Sequence, residues 1–155
     1  MRTLVFDMDG TIADLYGYKN WLECLRTEKS APYENCAPLV NIEELNKICD
    51  LLKSIGYKVI ITTWLAKESS KQYKKDVKIA KLKWLEKVGF KFDEIHFLQY
   101  GTTKANATRK YGKNQVLIDD NEKVRKGWTL GQTINANEDI LTPLKNIYLN
   151  SQVSI

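Results

Sequence analysis

Short apolar runs along this chain alternate with stretches in which apolar residues recur every three or four positions. Thr3-Leu4-Val5-Phe6 has the character of a buried strand, and Lys58 to Ile61, Glu94 to Leu98, Gln115 to Ile118 and Leu130 to Ile134 are four further strand candidates. Ile42, Leu45, Ile48, Leu52 and Ile55 share one helical face, with Asn41 and Glu44 as a capping pair in front and Gly56 as a stop behind. Val77, Ala80, Trp84 and Val88 mark a second helix that ends at Gly89. A shorter helix is predicted over Lys104 to Tyr111, one or two turns over Asn121 to Trp128, and a last helix from near Thr142 with Pro143 in its first turn. Strands alternating with helices predict an α/β fold: a three-layer sandwich around a central, mainly parallel five-stranded sheet. In such a sheet ligands gather at the carboxyl ends of the strands.

The segment from Asp14 to Val40 breaks the alternation. It is aromatic at Tyr16, Tyr18 and Trp21 and reads as one helix followed by a loop carrying Pro32 and Pro38. It is too short for a core of its own, so it is expected to form a flap insertion, at about 14–40, over one end of the sheet. The whole chain of 155 residues is then a single domain, 1–155. The longest apolar runs, Val59-Ile60-Ile61 and Val116-Leu117-Ile118, fall far short of the roughly 20 residues that span a bilayer, which excludes a membrane partner. Cys24, Cys36 and Cys49 are odd in number and show no close-spaced metal pair. Together with an N-terminus that lacks an apolar targeting segment, this reads as reduced thiols in a cytoplasmic protein.

Chemistry is concentrated where strands end. Asp7-Met8-Asp9-Gly10-Thr11 follows the first strand directly, and Val116-Leu117-Ile118 runs into Asp119-Asp120. In a parallel sheet both acidic pairs emerge on one edge, where four like charges oppose folding unless something positive joins them. Mg²⁺ suits that need, because it takes oxygen ligands and accepts carboxylates together with substrate phosphate. Zinc does not, with His96 the only histidine and no cysteine pair. His96 lies in a strand candidate without a ligand partner and is expected to be structural. Thr62 and Thr63 end the second strand and offer hydroxyl and N–H donors that suit phosphate oxygens. A cation is also wanted at this edge; Lys104 is the first candidate, with Lys110 and Lys113 as rivals.

Taken together, these segments resemble the haloacid dehalogenase superfamily of phosphohydrolases. The match runs in order through Asp7 to Thr11, Thr62, a lysine near Lys104, and Asp119 with Asp120. The resemblance implies a Rossmann-like core and a Mg²⁺-dependent phosphomonoesterase. In such an enzyme Asp7 attacks phosphorus to form an aspartyl-phosphate, while Asp9 protonates the leaving group and then activates water. It also implies a metal held by Asp7, the backbone carbonyl of Asp9 and Asp119, with Asp120 nearby; Thr62 and Lys104 complete the catalytic set. A carboxylate nucleophile splits hydrolysis into two displacements. Asp9 then needs a proton affinity closer to working pH than an ordinary carboxyl has. Phosphotransfer to an acceptor other than water shares the same intermediate.

Many members of that superfamily carry a large cap between the first two motifs, whereas only about fifty residues separate Thr11 from Thr62 here. The site is therefore expected to be open or covered by the flap alone. Thr11, Thr63, Trp64 and Lys67 are the substrate-side candidates; Trp64 and the flap aromatics either stack on a base or sugar or pack in the core. Lys67, Lys71, Lys74, Lys75 and Lys78 fall within one arc of a continuous helix. With a formal net charge of +5, that stripe either steers nucleotide phosphate or is a solvated face. The substrate class is thus a phosphorylated small molecule, with a nucleotide as the preferred form. Two alternatives are a phosphatase for nucleic-acid ends and a non-catalytic binding protein that keeps the fold.

Overall fold

The apolar runs form strands and the helical periodicities form helices in the computed structural model, which describes residues 1–153. In chain order the elements are β1 (Arg2–Phe6), α1 (Trp21–Arg26), α2 (Ala31–Asn35), α3 (Ile42–Ser54), β2 (Tyr57–Trp64), α4 (Lys71–Val88), β3 (Glu94–Leu98), α5 (Ala105–Thr108), β4 (Gln115–Asp119), α6 (Glu122–Lys126), β5 (Gly131–Asn135) and α7 (Leu141–Val153). A 3₁₀ turn at Arg109–Tyr111 extends α5. The strand order is β3-β2-β1-β4-β5, and all four pairings are parallel. The chain thus winds outward from β1 to β3 and then returns to β4 on the other side of β1. The reversal point lies between β1 and β4, where a crevice opens at the carboxyl ends of a doubly wound sheet.

Alternation along the strands divides the core into two faces. Leu4 and Phe6 of β1, Val59 and Ile61 of β2, and Val116 and Ile118 of β4 pack with Leu45 and Leu52 of α3, Trp84 of α4 and Leu144 of α7. Val5 and Leu117 point the other way, onto Ala105 of α5 together with Trp128 and Leu130. Helix ends follow the signals in the sequence. The Asn41 side chain accepts from the Glu44 N–H at 3.0 Å, and Gly89 closes α4 in the left-handed region with φ 78°. Strand β2 runs three residues beyond the expected Ile61, because Thr62, Thr63 and Trp64 continue the ladder to β3.

The segment 14–40 holds two short helices where one was expected. Pro32 lies in the first turn of α2, where a missing N–H costs nothing, instead of in a loop. The segment is fixed to α4: Trp84 Nε1 donates to the Cys36 carbonyl at 2.7 Å, Lys87 Nζ to the Glu34 carbonyl at 2.8 Å, and Ser70 N to Glu28 at 2.8 Å. The lysine stripe is shorter than expected, since α4 starts at Lys71 and Lys67 precedes it. His96 pairs with Glu94 at 3.0 Å, away from the strand-end acids. Burial works against the Glu94 charge, but hydrogen bonds from Lys58, Tyr111 and His96 outweigh it and hold the carboxyl down at about 2. The three cysteines are free, and among the described residues no helix is long and apolar enough to cross a membrane.

Trp84 is fully buried and joins the sheet core to the 14–40 segment. Trp84→Ala is expected to cost about 3–5 kcal/mol, measured by chemical denaturation. A loss below about 1 kcal/mol would mean that this packing contributes little.

Candidate functional site

Asp7 is the first residue beyond β1 and Asp119 the last of β4, so the two flank the reversal point of the sheet. Because side chains alternate, Asp7 follows Val5 and Asp119 follows Leu117 onto the face covered by α5 and α6. Lys104, immediately before α5, reaches both from that face. Its Nζ lies 2.6 Å from Asp7 Oδ1 and 2.8 Å from Asp119 Oδ2, and the side chain is almost wholly buried. Burial works against that ammonium, but the two carboxylates outweigh it and raise its pKa. Lys110 and Lys113 are exposed, and Lys110 lies over the Tyr111 ring instead. Of the three candidate lysines, Lys104 is the one bonded to these acids.

The turn after β1 brings Asp120 into the same group. Thr11, buried in that turn, donates to Asp7 Oδ2 at 2.9 Å and lies 3.4 Å from Asp120 Oδ1. Gly10 sits at φ +82°, and a Cβ there would fall 2.4 Å from Asp120 Oδ2 and 2.8 Å from the Tyr16 ring. Only glycine meets both the conformation and the close approach. Oxygens of Asp7, Asp119 and Asp120 all lie within 4.8 Å of one another. Burial first, then the neighbouring Asp7 and Asp119 charges, push the Asp120 carboxyl up to about 7. Burial and Asp7 also raise Asp119, against the opposing pull of Lys104. One ammonium, bonded to Asp7 and Asp119, thus stands against three carboxylates, which leaves a net charge of two negatives when all are ionised. That all-oxygen donor set and that charge deficit both fit a hard divalent ion such as Mg²⁺.

Asp9 stands apart from the cluster. Its side chain turns to the opposite face of the sheet, where Asp9 Oδ2 accepts from Lys81 Nζ at 2.9 Å. Lys81 is fully buried and also donates to Thr63 Oγ1 at 2.6 Å and to the Trp64 carbonyl at 2.9 Å, which uses all three of its donors. Burial raises the Asp9 pKa in spite of Lys81. Lys81 was not among the residues singled out from the sequence. Its position held a signal, since it falls four residues after Val77 and three before Trp84, inside the buried stripe of α4.

The remaining candidates separate by strand parity. Thr63 follows Val59 and Ile61 onto the α4 face, where its hydroxyl is taken by Lys81. Thr62 points to the Asp7 face. Phe6 pairs with Ile61, so Asp7 and Thr62 come next on neighbouring strands. The Thr62 hydroxyl is buried with no hydrogen-bond partner, which is an unusual cost unless something else fills its valence. Thr11 and Thr63 were expected to face substrate, but both hydroxyls are spent on site carboxylates or on Lys81. Trp64 and Lys67 do line the open recess. It measures about 380 Å³ and is walled by Asp7, Asp9, Asp119 and Asp120 on one side and by Tyr16, Trp21, Tyr33 and Tyr100 on others. Tyr16 meets Trp21 edge-on at 5.0 Å, and Trp64 tilts against Tyr100 at 5.2 Å.

No family model and no curated protein sequence matches this chain. Solved structures do. One describes a Pnkp1/Rnl/Hen1 complex, with 17% identity and a TM-score of 0.54 over 86% of this chain and 45% of that one. Another, of the Pnkp1/Rnl/Hen1 RNA repair complex, has 17% identity and a TM-score of 0.55 over 86% and 42%. The chain thus spans less than half the length of these two. A third, the D,D-heptose 1,7-bisphosphate phosphatase from Burkholderia thailandensis, has 13% identity and a TM-score of 0.52 with full coverage of both chains. At these identities the likeness speaks to the fold, and the α/β sandwich with its five parallel strands is consistent with a haloacid-dehalogenase-like Rossmann-type core.

If the acidic cluster binds Mg²⁺, a concentration about 100 times Kd stabilises the chain by about 2.7 kcal/mol. At that occupancy the melting temperature is expected to rise by on the order of 5–10 °C. Asp119→Asn is expected to remove most of this rise. Gly10→Ala is expected to reduce it by displacing Asp120. A melting curve indifferent to divalent ions would contradict the donor-set reading.

Proposed function

We propose that this chain is a Mg²⁺-dependent phosphomonoesterase that works through an aspartyl-phosphate on Asp7. The observation that carries the reading is the division of the four acids: Asp7 and Asp119 are bonded to Lys104 with Asp120 beside them, while Asp9 is bonded separately to Lys81 and its proton affinity is raised by burial. A nucleophile must be ionised, and a general acid must carry a proton near working pH. Burial gives Asp9 the raised proton affinity that the acid's role calls for.

In this reading Lys104 and Thr11 fix both oxygens of Asp7, leaving its carboxylate oriented by two bonds. An Asp7 oxygen forms the new bond to phosphorus as the ester P–O bond breaks, and Asp9 gives its proton to the departing alkoxide. Water then attacks the same phosphorus with Asp9 accepting its proton, and the P–O bond to Asp7 breaks to release phosphate. The unpartnered Thr62 hydroxyl and the Lys104 ammonium serve the phosphoryl oxygens. Mg²⁺, held by Asp7, Asp119 and Asp120 with the Asp9 carbonyl, would add positive charge against the phosphoryl group. The aromatic recess supports a phosphorylated substrate with a planar group, of which a nucleotide is the simplest.

A second reading, a phosphatase for nucleic-acid ends, is favoured by one observation. A further recess of about 370 Å³ adjoins the first, shares Trp64, Tyr100, Lys104 and Asn121 with it, and carries Lys123 on its rim. A substrate longer than one nucleotide has room on both sides of the Trp64–Tyr100 pair. Two of the similar solved structures are described as complexes containing Pnkp1, one of them an RNA repair complex.

Phosphate release from a panel of phosphomonoesters with Mg²⁺ tests the first reading. Asp7→Asn is expected to lower the rate by at least about 10³-fold, since it removes the nucleophile; activity that survives the substitution would refute it. The second reading is separated by comparing a nucleoside monophosphate with a single-stranded oligonucleotide bearing a terminal phosphate. For the oligonucleotide, kcat/KM should be higher and should fall more steeply with salt. Equal slopes leave the mononucleotide as substrate class.

A further inference from the structure

Among the described residues, Lys81 is the fully buried ammonium bonded to a site carboxylate outside the nucleophile's cluster, and the proposed chemistry gives it no role beyond holding Asp9 apart from that cluster. Three segments of the chain meet at its Nζ. The turn after β1 supplies Asp9 Oδ2 at 2.9 Å, and the end of β2 supplies Thr63 Oγ1 at 2.6 Å and the Trp64 carbonyl at 2.9 Å. The 14–40 segment supplies the Tyr33 ring, whose centroid lies 5.2 Å away. With three N–H donors and three oxygen acceptors, the ammonium has no rotational freedom left that keeps every bond. One Asp9 oxygen is thereby pinned relative to β2, the strand that also carries Thr62 and Trp64. Asp9 also stands at the wall of the recess, so with one oxygen fixed on the α4 side the other is the one left to serve an ester that occupies it.

We infer that Lys81 is a positioning residue for the acid: it holds the Asp9 carboxyl at the leaving-group oxygen and thereby decides which esters the site cleaves quickly. This rests on the phosphomonoesterase reading with Asp9 as proton donor. Proton donation matters most for a leaving group that departs poorly as an anion, such as an alkoxide, and least for a nitrophenolate. General acid catalysis contributes about 10²–10⁴-fold, and misplacement by an ångström forfeits much of it. A lysine that merely tied α4 to β2 would lower stability and slow all esters alike.

The test compares kcat/KM for glycerol 2-phosphate and for 4-nitrophenyl phosphate in wild type, Lys81→Met, Asp9→Asn and the double variant, with melting temperatures recorded throughout. kcat/KM reports the first displacement, so the later hydrolysis of the intermediate does not blur the comparison. Lys81→Met is expected to lower the alkyl value by about 10²-fold or more and the aryl value by about tenfold or less, so that their ratio falls at least tenfold. Adding Lys81→Met to Asp9→Asn is expected to change the alkyl value by less than about threefold, because both act through one proton. Thr63→Val, which removes a single anchor of Lys81 and keeps the charge, is expected to move the ratio the same way by a smaller factor. It stands in should Lys81→Met fail to fold. Parallel losses for the two esters, or additive losses in the double variant, overturn the role of Lys81 and leave the phosphatase reading intact. A wild-type chain that hydrolyses neither ester overturns both.

Discussion

Four carboxylates at one edge of a parallel sheet are a liability that the rest of the structure is arranged to offset. Burying an unpaired charge costs several kcal/mol even after relaxation, and a second like charge nearby adds to it. Two buried lysines answer this, one from each side of the sheet. Lys104 enters from the α5 face and bridges Asp7 and Asp119, whereas Lys81 enters from α4 and takes Asp9. A single lysine does not do both: Asp7 continues the alternation of β1 onto the α5 face, whereas Asp9, two residues further on and beyond the strand, is turned by the loop toward α4. The separation keeps the three clustered acids short of positive charge and therefore receptive to a cation. It leaves Asp9 in a different electrostatic setting only two residues from Asp7.

Strand pairing supplies the accuracy. The register that puts Phe6 beside Ile61 and Ile118 sets the ends of β1, β2 and β4 against one another. A slip of one residue in any of these strands would turn its acid or threonine to the other helix layer and uncouple it from its lysine. The hydrophobic core and the site are thus fixed by the same constraint. The apolar residues that bury β1 on both faces, Leu4 to Phe6, are also what aim Asp7.

Much of this was legible in the amino-acid order because strand and helix periodicities are strong where burial is complete. The acidic pairs after Phe6 and Ile118 stand out as polar residues closing apolar runs, and Lys104 stands just before a helix that returns toward β4. Three things were harder to read. The roles of Thr62 and Thr63 depend on which face each takes, and that follows from the strand's register rather than from residue type. Lys81 sits in the apolar stripe of α4 between Val77 and Trp84, but a lysine is ordinarily taken as solvated, and the run of lysines before it strengthens that habit. The second short helix at 31–35 hides behind Pro32, which reads as a breaker unless it falls in a first turn.

The 14–40 segment then acquires a meaning beyond that of a cover. Its Tyr33 ring lies over Lys81 while Tyr16 and Trp21 line the recess, and Trp84 and Lys87 tie its C-terminal end to α4, the helix that carries Lys81. The flap aromatics that line the recess are thus tied through α4 to the lysine that holds Asp9. A segment of under thirty residues is bonded to the core along α4, which leaves side chains such as Tyr100 and Lys67 at the open margin as the freer part of the recess. Exposed aromatic and lysine side chains reorient within nanoseconds at little cost. The acid beneath them, with its lysine fully coordinated, does not have that freedom. Under the proposed phosphomonoesterase reading, adaptability at the rim and rigidity at Asp9 are the two properties that would let the site accept varied phosphoesters and still protonate each at the same atom.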